Sequence, residues 1–311
     1  MNRPEKIIIT GASGFLGTHL VRRLKDDKRF LVSALSSRHE ELQEKLGGNV
    51  RYLYKDALGD SGAADLLHGA IIVNCAYPRN STGTEMAEGL RYIQRVFECA
   101  ADHKASAIIN ISSQSVYSQK RTAAAAENTA ACLESPYAVG KYGVELLLES
   151  ICKGTETRFT SLRMASLIGP EFDQRIVNRL VKQALLSGRI TVKNNQQEFG
   201  FFDVEDAVSY LVTMLDSDPE KWKPVYNIGK NETYSLAEIA QVIKETIERS
   251  SGKSVEIVEL SGDEKTNSGL STVLFQDEFK PPAPHSLQDS VETICRYLTN
   301  NDTTDEEEKH E

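Results

Sequence analysis

Apolar residues fall along this chain in two alternating rhythms. Short, mostly apolar runs at residues 7–9, 30–35, 50–54, 70–76 and 107–111 have the length and β-branched content of buried strands. Between them the period lengthens to that of a helix. Leu16, Leu20, Val21 and Leu24 share one face, and Leu90, Ile93, Val96 and Phe97 stripe a helix over residues 86–103. This alternation predicts right-handed βαβ units and a parallel sheet covered on both faces, an α/β fold of doubly wound type. Helical spacing returns in a segment opened by Pro136 and continued by Leu147, Leu148 and Ile151, then at residues 176–186 and 237–248. Residues 255–258 read as a strand. Pro281, Pro282 and Pro284 break the chain before a last helix through Val291, Ile294 and Leu298.

The first strand runs into Gly11, Gly14 and Gly17, spaced three apart and followed directly by a helical stripe. Gly11 permits a tight turn, Gly14 removes a side chain where a pyrophosphate approaches, and Gly17 lets the helix pack closely on the strand. The backbone N–H groups around Phe15 and Leu16 then point at an anion, so these five residues are candidates for holding a dinucleotide. The spacing alone also fits a glycine turn without a ligand; the strand before it and the helix after it favour the nucleotide.

Composition narrows the class. The chain has 311 residues, 40% of them hydrophobic, and nowhere about 18 apolar residues in succession, so a soluble cytoplasmic location without membrane contact is expected. Five scattered cysteines without a C-x-x-C pair read as reduced thiols, and six histidines without ligand spacing predict no metal site. The net charge is -9, of which residues 300–311 contribute -5 from six acids and one lysine. That stretch reads as a disordered acidic tail. The remaining -4 offers nothing basic enough to hold nucleic acid.

Ser36, Ser37 and Arg38 follow the second strand, where an adenosine ribose lies in such folds. An acid there suits NAD; two hydroxyls and a guanidinium suit the 2'-phosphate of NADP, which tilts the cofactor towards NADP, with NAD the alternative if Arg38 is an ordinary surface charge. Asp56 and Ala57 after the third strand are candidates for adenine contact, although a loop aspartate can equally be solvated. Cys75 and Ala76, ending the fourth strand, complete the candidate cofactor set.

Ser112 and Ser113 end the fifth strand, and Tyr137 and Lys141 stand four apart on the helix opened by Pro136. A Tyr and a Lys at that spacing are common; their place downstream of a serine-bearing strand end is what points to chemistry. An ammonium about 4 Å from a phenolate is worth roughly 4 kcal/mol at an effective dielectric near 20, which favours a tyrosine able to act as acid or base.

Gly11-x-x-Gly14-x-x-Gly17, Ser112-Ser113-x-x-Val116-Tyr117, Tyr137-x-x-x-Lys141 and Leu162-Arg163 leading to Gly169-Pro170 together resemble the extended short-chain dehydrogenase/reductases, the NAD(P)-dependent epimerase/dehydratase family. The likeness spans about residues 5 to 300 and includes Phe201-Phe202-Asp203-Val204-Glu205-Asp206 and Tyr226-Asn227-Ile228-Gly229. It implies hydride transfer at a secondary alcohol or ketone of a nucleotide sugar. Within it Tyr137 is the acid/base, Lys141 also holds the nicotinamide ribose, Ser113 orients the reacting oxygen, and Ser166 contacts substrate. Gln114 and Ser115 replace the acids of the 4,6-dehydratases, which argues against dehydration. Phe199 lies where many members carry a diphosphate-binding arginine, and Arg175, Arg179 or Arg189 are the candidates to compensate.

The expected organisation is a Rossmann-type region over residues 1–167, to which residues 200–230 return, and a smaller α+β substrate-binding region over residues 168–299. Epimerase and keto-sugar reductase both fit, and a catalytically silent NADP-binding redox sensor is the alternative from another class. The helices at 86–103 and 136–151 are expected to pair across a two-fold axis in a homodimer.

Overall fold

A computed structural model describes residues 4–59, 63–79, 81 and 83–307. Six strands of the first half are β1 (Glu5–Thr10), β2 (Phe30–Ser36), β3 (Val50–Tyr54), β4 (Ile71–Asn74), β5 (Ala107–Ser113) and β6 (Arg158–Met164). The intervening helices are α1 (Phe15–Leu24), α2 (His39–Leu46), α3 (Ala63–Leu67), α4 (Gly83–Asp102) and α5 (Pro136–Cys152). The second half adds β7 (Ser166–Ile168), α6 (Ile176–Ser187), β8 (Arg189–Glu198), β9 (Phe201–Asp203), α7 (Val204–Leu215) and β10 (Val225–Ile228). It ends with α8 (Leu236–Ser251), β11 (Glu256–Asn267), α9 (Val273–Phe279) and α10 (Leu287–Glu307).

Seven strands form one sheet in the order β10-β6-β5-β4-β1-β2-β3, every pair parallel. The reversal of strand order between β1 and β4 marks a doubly wound Rossmann-type sheet. Period-2 alternation explains the uniformly apolar runs. Ile7, Ile9, Val73 and Ile109 face a core shared with α1 and α7, while Ile8, Ile72 and Ile108 face one shared with α4 and α5.

The segment from α7 to β10 belongs to this sheet: β10 pairs with β6 from Val225↔Ser161 to Ile228↔Met164, and α7 packs in the core beside α1. A second core joins α6, α8 and α10 around the parallel pair β8 and β11. The strand expected at residues 255–258 extends to twelve residues, because β8 supplies a partner along its length. The stretch from residue 300 expected to lack structure continues α10 as far as Glu307; extending an existing helix adds a hydrogen bond per residue without a new nucleus. Residues 308–311 of that stretch lie outside the described residues. Among the described residues no helix is long and apolar enough to cross a membrane, and no group of three metal-ligating side chains converges.

Candidate active site

Because all seven strands run in one direction, their carboxyl ends form a single edge, and a cleft of about 730 Å³ opens there. Gly11, Gly14, Cys75 and Ala76 line its floor, with Ser36, Ser37, Arg38 and Asp56 at the β2 and β3 side. Gly11 has φ +63, and a Cβ on it would stand 2.6 Å from the Ala76 backbone, so the turn admits no side chain. Gly17 is closed in the same way, 2.4 Å from the Gly11 carbonyl. Gly14 opens α1 with no side-chain cap, which leaves the first-turn N–H groups for a ligand.

Not every expected cofactor residue faces the cleft. Leu16 is buried in the core, and Phe15 stacks on Phe172 with ring centroids 4.2 Å apart, so only backbone groups of this turn remain for an anion. Ala57 follows Asp56 in a short 3-10 turn and does not line the space; the turn directs Asp56 inward instead. Ser166 sits in β7, paired with Phe201 of β9, and, like Ser113, Tyr137 and Lys141, does not itself line this space.

The Ser-Tyr-Lys set is positioned by β5 and α5. Ser135 caps α5 by accepting from the Ala138 N–H at 3.2 Å, and Pro136 fills its first turn. Tyr137 is thereby half-buried at the strand edge, and Lys141 is buried one turn later. The Lys141 ammonium donates to the Ile111 carbonyl at 2.7 Å and lies 5.9 Å from the Tyr137 ring centroid. Ser113 Oγ accepts from the Ser115 N–H at 3.1 Å and shares a hydroxyl contact with Ser115 Oγ at 3.1 Å. Its neighbour Ser112 turns the other way, donating to the buried Glu145.

Tyr77, a residue the sequence reading passed over, connects this set to the cleft. It lines the cleft wall, its ring lies 4.2 Å from the Lys141 ammonium and 5.1 Å from the Tyr137 ring, and its hydroxyl donates to the Tyr137 carbonyl at 3.1 Å. Gly140 makes the contact possible, since a Cβ there would meet the Tyr77 hydroxyl at 2.3 Å. An aromatic residue directly after the Cys75-Ala76 turn was the signal available in the sequence.

Burial pushes the Lys141 ammonium down to about 7, the Cys75 thiol opposing this and the Arg79 guanidinium adding to it. Burial also pushes the Cys75 thiol up to about 12. An unfolded lysine titrates near 10.4, so between about pH 7 and 10 the unfolded chain binds the additional proton. Stability of the cofactor-free protein is therefore expected to rise with pH across that window, the cost of the buried charge being full below it. Melting curves of wild type and Lys141→Met should converge as pH rises from 6.5 to 10; a pH-independent gap would count against this.

Sheet, glycine turn and cleft together define a Rossmann-type fold with a candidate dinucleotide site. Residues 7–229 match the model of the NAD dependent epimerase/dehydratase family, and the chain belongs to that family. It is similar to YtcB of Bacillus subtilis (strain 168), named an uncharacterized UDP-glucose epimerase, at 27% identity over 77% of this chain and 81% of that protein. It is also similar to a dTDP-4-dehydro-6-deoxy-D-allose reductase of Streptomyces sp, at 23% identity over 78% of this chain and 81% of the relative. In structure it resembles the UDP-glucuronic acid 4-epimerase of Bacillus cereus in complex with UDP-glucuronic acid and NAD. The TM-score is 0.76 at 22% identity, over 95% of this chain and 99% of the other.

Proposed function

We propose that this chain is a nucleotide-sugar epimerase using NAD, inverting a secondary alcohol of the sugar through a transient ketone. The observation that carries the reading is the buried Lys141 set against Tyr137 and joined to the glycine-turn cleft by Tyr77. The residues fit a dinucleotide: Gly11 and Gly14 leave room at the turn, and the uncapped start of α1 suits the diphosphate. When bound, NAD supplies the hydride acceptor and later the donor. Tyr137 takes the hydroxyl proton as the carbinol carbon loses hydride, and returns a proton to the same oxygen when hydride is delivered to the other face. Ser113, held by Ser115, orients the oxygen, and Lys141 presents its amine 5.9 Å from the Tyr137 ring centroid. No net oxidation results.

A second reading, keto-sugar reduction with NADPH, is supported by the end of β2. No carboxylate stands among Ser36, Ser37 and Arg38; the Arg38 guanidinium is 60% exposed, held among the described residues by a 3.7 Å contact to Glu41 and a 3.3 Å bond to the Ser13 carbonyl. One experiment separates the two. Nucleotide released from denatured purified protein is identified, and NADPH consumption is then followed with keto-sugar nucleotides. Retained NAD without NADPH consumption is expected for the epimerase; exchangeable NADP with consumption would replace that reading by the reductase. Bound nucleotide with no turnover on any nucleotide sugar would leave the silent redox sensor.

The same helices that carry the site support a homodimer. Leu133, Val139 and Leu146 are exposed, and a groove of about 510 Å³ runs past Met86, Leu90 and Val139 between α4 and α5. Sedimentation at micromolar concentration should give a dimer that Val139→Glu dissociates. A monomeric wild-type profile would contradict the pairing.

A further inference from the structure

Beside the Tyr-Lys pair stand two guanidinium groups with no anion. The Arg79 and Arg175 groups lie 5.3 and 4.8 Å from the Phe172 ring centroid, and Phe172 in turn stacks on Phe15 of the glycine turn. Neither arginine makes a salt bridge among the described residues. The Nε of Arg175 is buried without a hydrogen-bond partner. Of the two acids flanking Phe172, Glu171 is engaged by Arg22 at 3.2 Å and Lys45 at 2.9 Å, and the exposed Asp173 makes no ion pair with either arginine among the described residues. Two like charges and an orphaned buried donor are costly unless an anion completes them.

We propose that Arg79 and Arg175 form a subsite for a carboxylate carried by the sugar of the substrate, close to its reacting carbon. The inference rests on the nucleotide-sugar reading above and deepens it to sugar acids. Location selects the occupant. Arg79 lies two residues beyond Tyr77, whose ring stands 4.2 Å from the Lys141 ammonium and 5.1 Å from the Tyr137 ring, and both guanidinium groups cover Phe172, so the pair attends the reacting end. The cofactor diphosphate has its own place at the first turn of α1. A planar guanidinium presenting Nε and Nη donors matches a carboxylate in two parallel bonds, and Phe172 fixes the plane. Burial and the neighbouring Arg79 both hold Arg175 below its ordinary value, a strain that a bound carboxylate relieves.

UDP-glucuronic acid and UDP-glucose differ only at C6, carboxylate against hydroxymethyl. Titration calorimetry of the NAD-loaded protein with each, and with the dTDP counterparts, provides the test. Wild type is expected to prefer the acid, and Arg175→Gln and Arg79→Gln each to lower that preference by about 10- to 100-fold, the range of a hydrogen bond to a charged group. Equal weakening of both sugars would move the pair to the substrate diphosphate, and weakened NAD affinity would move it to the cofactor; either overturns the proposal. A lowered melting temperature with an unchanged preference would reduce the cluster to a packing role. If no nucleotide sugar binds while NAD does, the underlying epimerase reading fails, and the carboxylate subsite with it.

Discussion

Tyr137→Phe is expected to lower kcat by about a hundred- to ten-thousand-fold while NAD affinity stays within a few-fold of wild type. The substitution removes one oxygen. The ring that packs edge-on against Tyr77 at 5.1 Å stays, as does the backbone carbonyl that accepts from the Tyr77 hydroxyl. Ser135 and Pro136 continue to set the start of α5. Without the phenol no group remains to exchange the alcohol proton, and hydride transfer from a protonated alcohol is strongly opposed. Steady-state turnover with nucleotide binding measured in parallel is decisive. Undiminished turnover would remove Tyr137 from the chemistry.

The largest effect on stability is expected from Arg163→Met. Arg163 and Glu145 are both buried and meet in a fork, Nη2 to Oε2 at 2.7 Å and Nε to Oε1 at 3.1 Å. The same guanidinium donates to the Tyr117 hydroxyl at 3.0 Å, and Tyr117 donates to Asn227 at 2.9 Å. This network ties α5 to β5, β6 and β10 directly beneath the candidate site. The fork outweighs desolvation and raises the Arg163 guanidinium above its ordinary value. Removing one partner strands a buried carboxylate, which costs about 3–5 kcal/mol, or roughly 5–8 °C in Tm for a chain of this size. Adding Glu145→Gln should recover part of the loss. A change in Tm of about 2 °C or less would show that water reaches the carboxylate.

Much of this was legible in the sequence, and the reasons differ by element. Runs such as Ile7 to Ile9 announce strands because both sheet faces are apolar, and a glycine triplet has few physical uses after such a strand. The spacing of Tyr137 and Lys141 is local to one helix turn, so it survives translation into structure. What was not legible depends on distant partners. The return of residues 200–230 to the sheet was expected, but β11 runs to twelve residues only because β8 lies alongside. Tyr77 and Arg79 carry no periodic signal; their meaning comes from Gly140, Lys141 and Phe172, which the fold delivers from elsewhere. Arg175 was one of three arginines raised by the sequence, and only its orphaned Nε beside Phe172 sets it apart.

The bond from Lys141 to the Ile111 carbonyl has a geometric consequence. A protonated amine owns three hydrogens, and one of them is tethered to β5 inside the sheet. Two are left, which the proposed mechanism assigns to a ribose hydroxyl of the dinucleotide and to the Tyr137 oxygen. The position of that amine is thus dictated by the sheet before any ligand arrives, whether or not it carries its third proton.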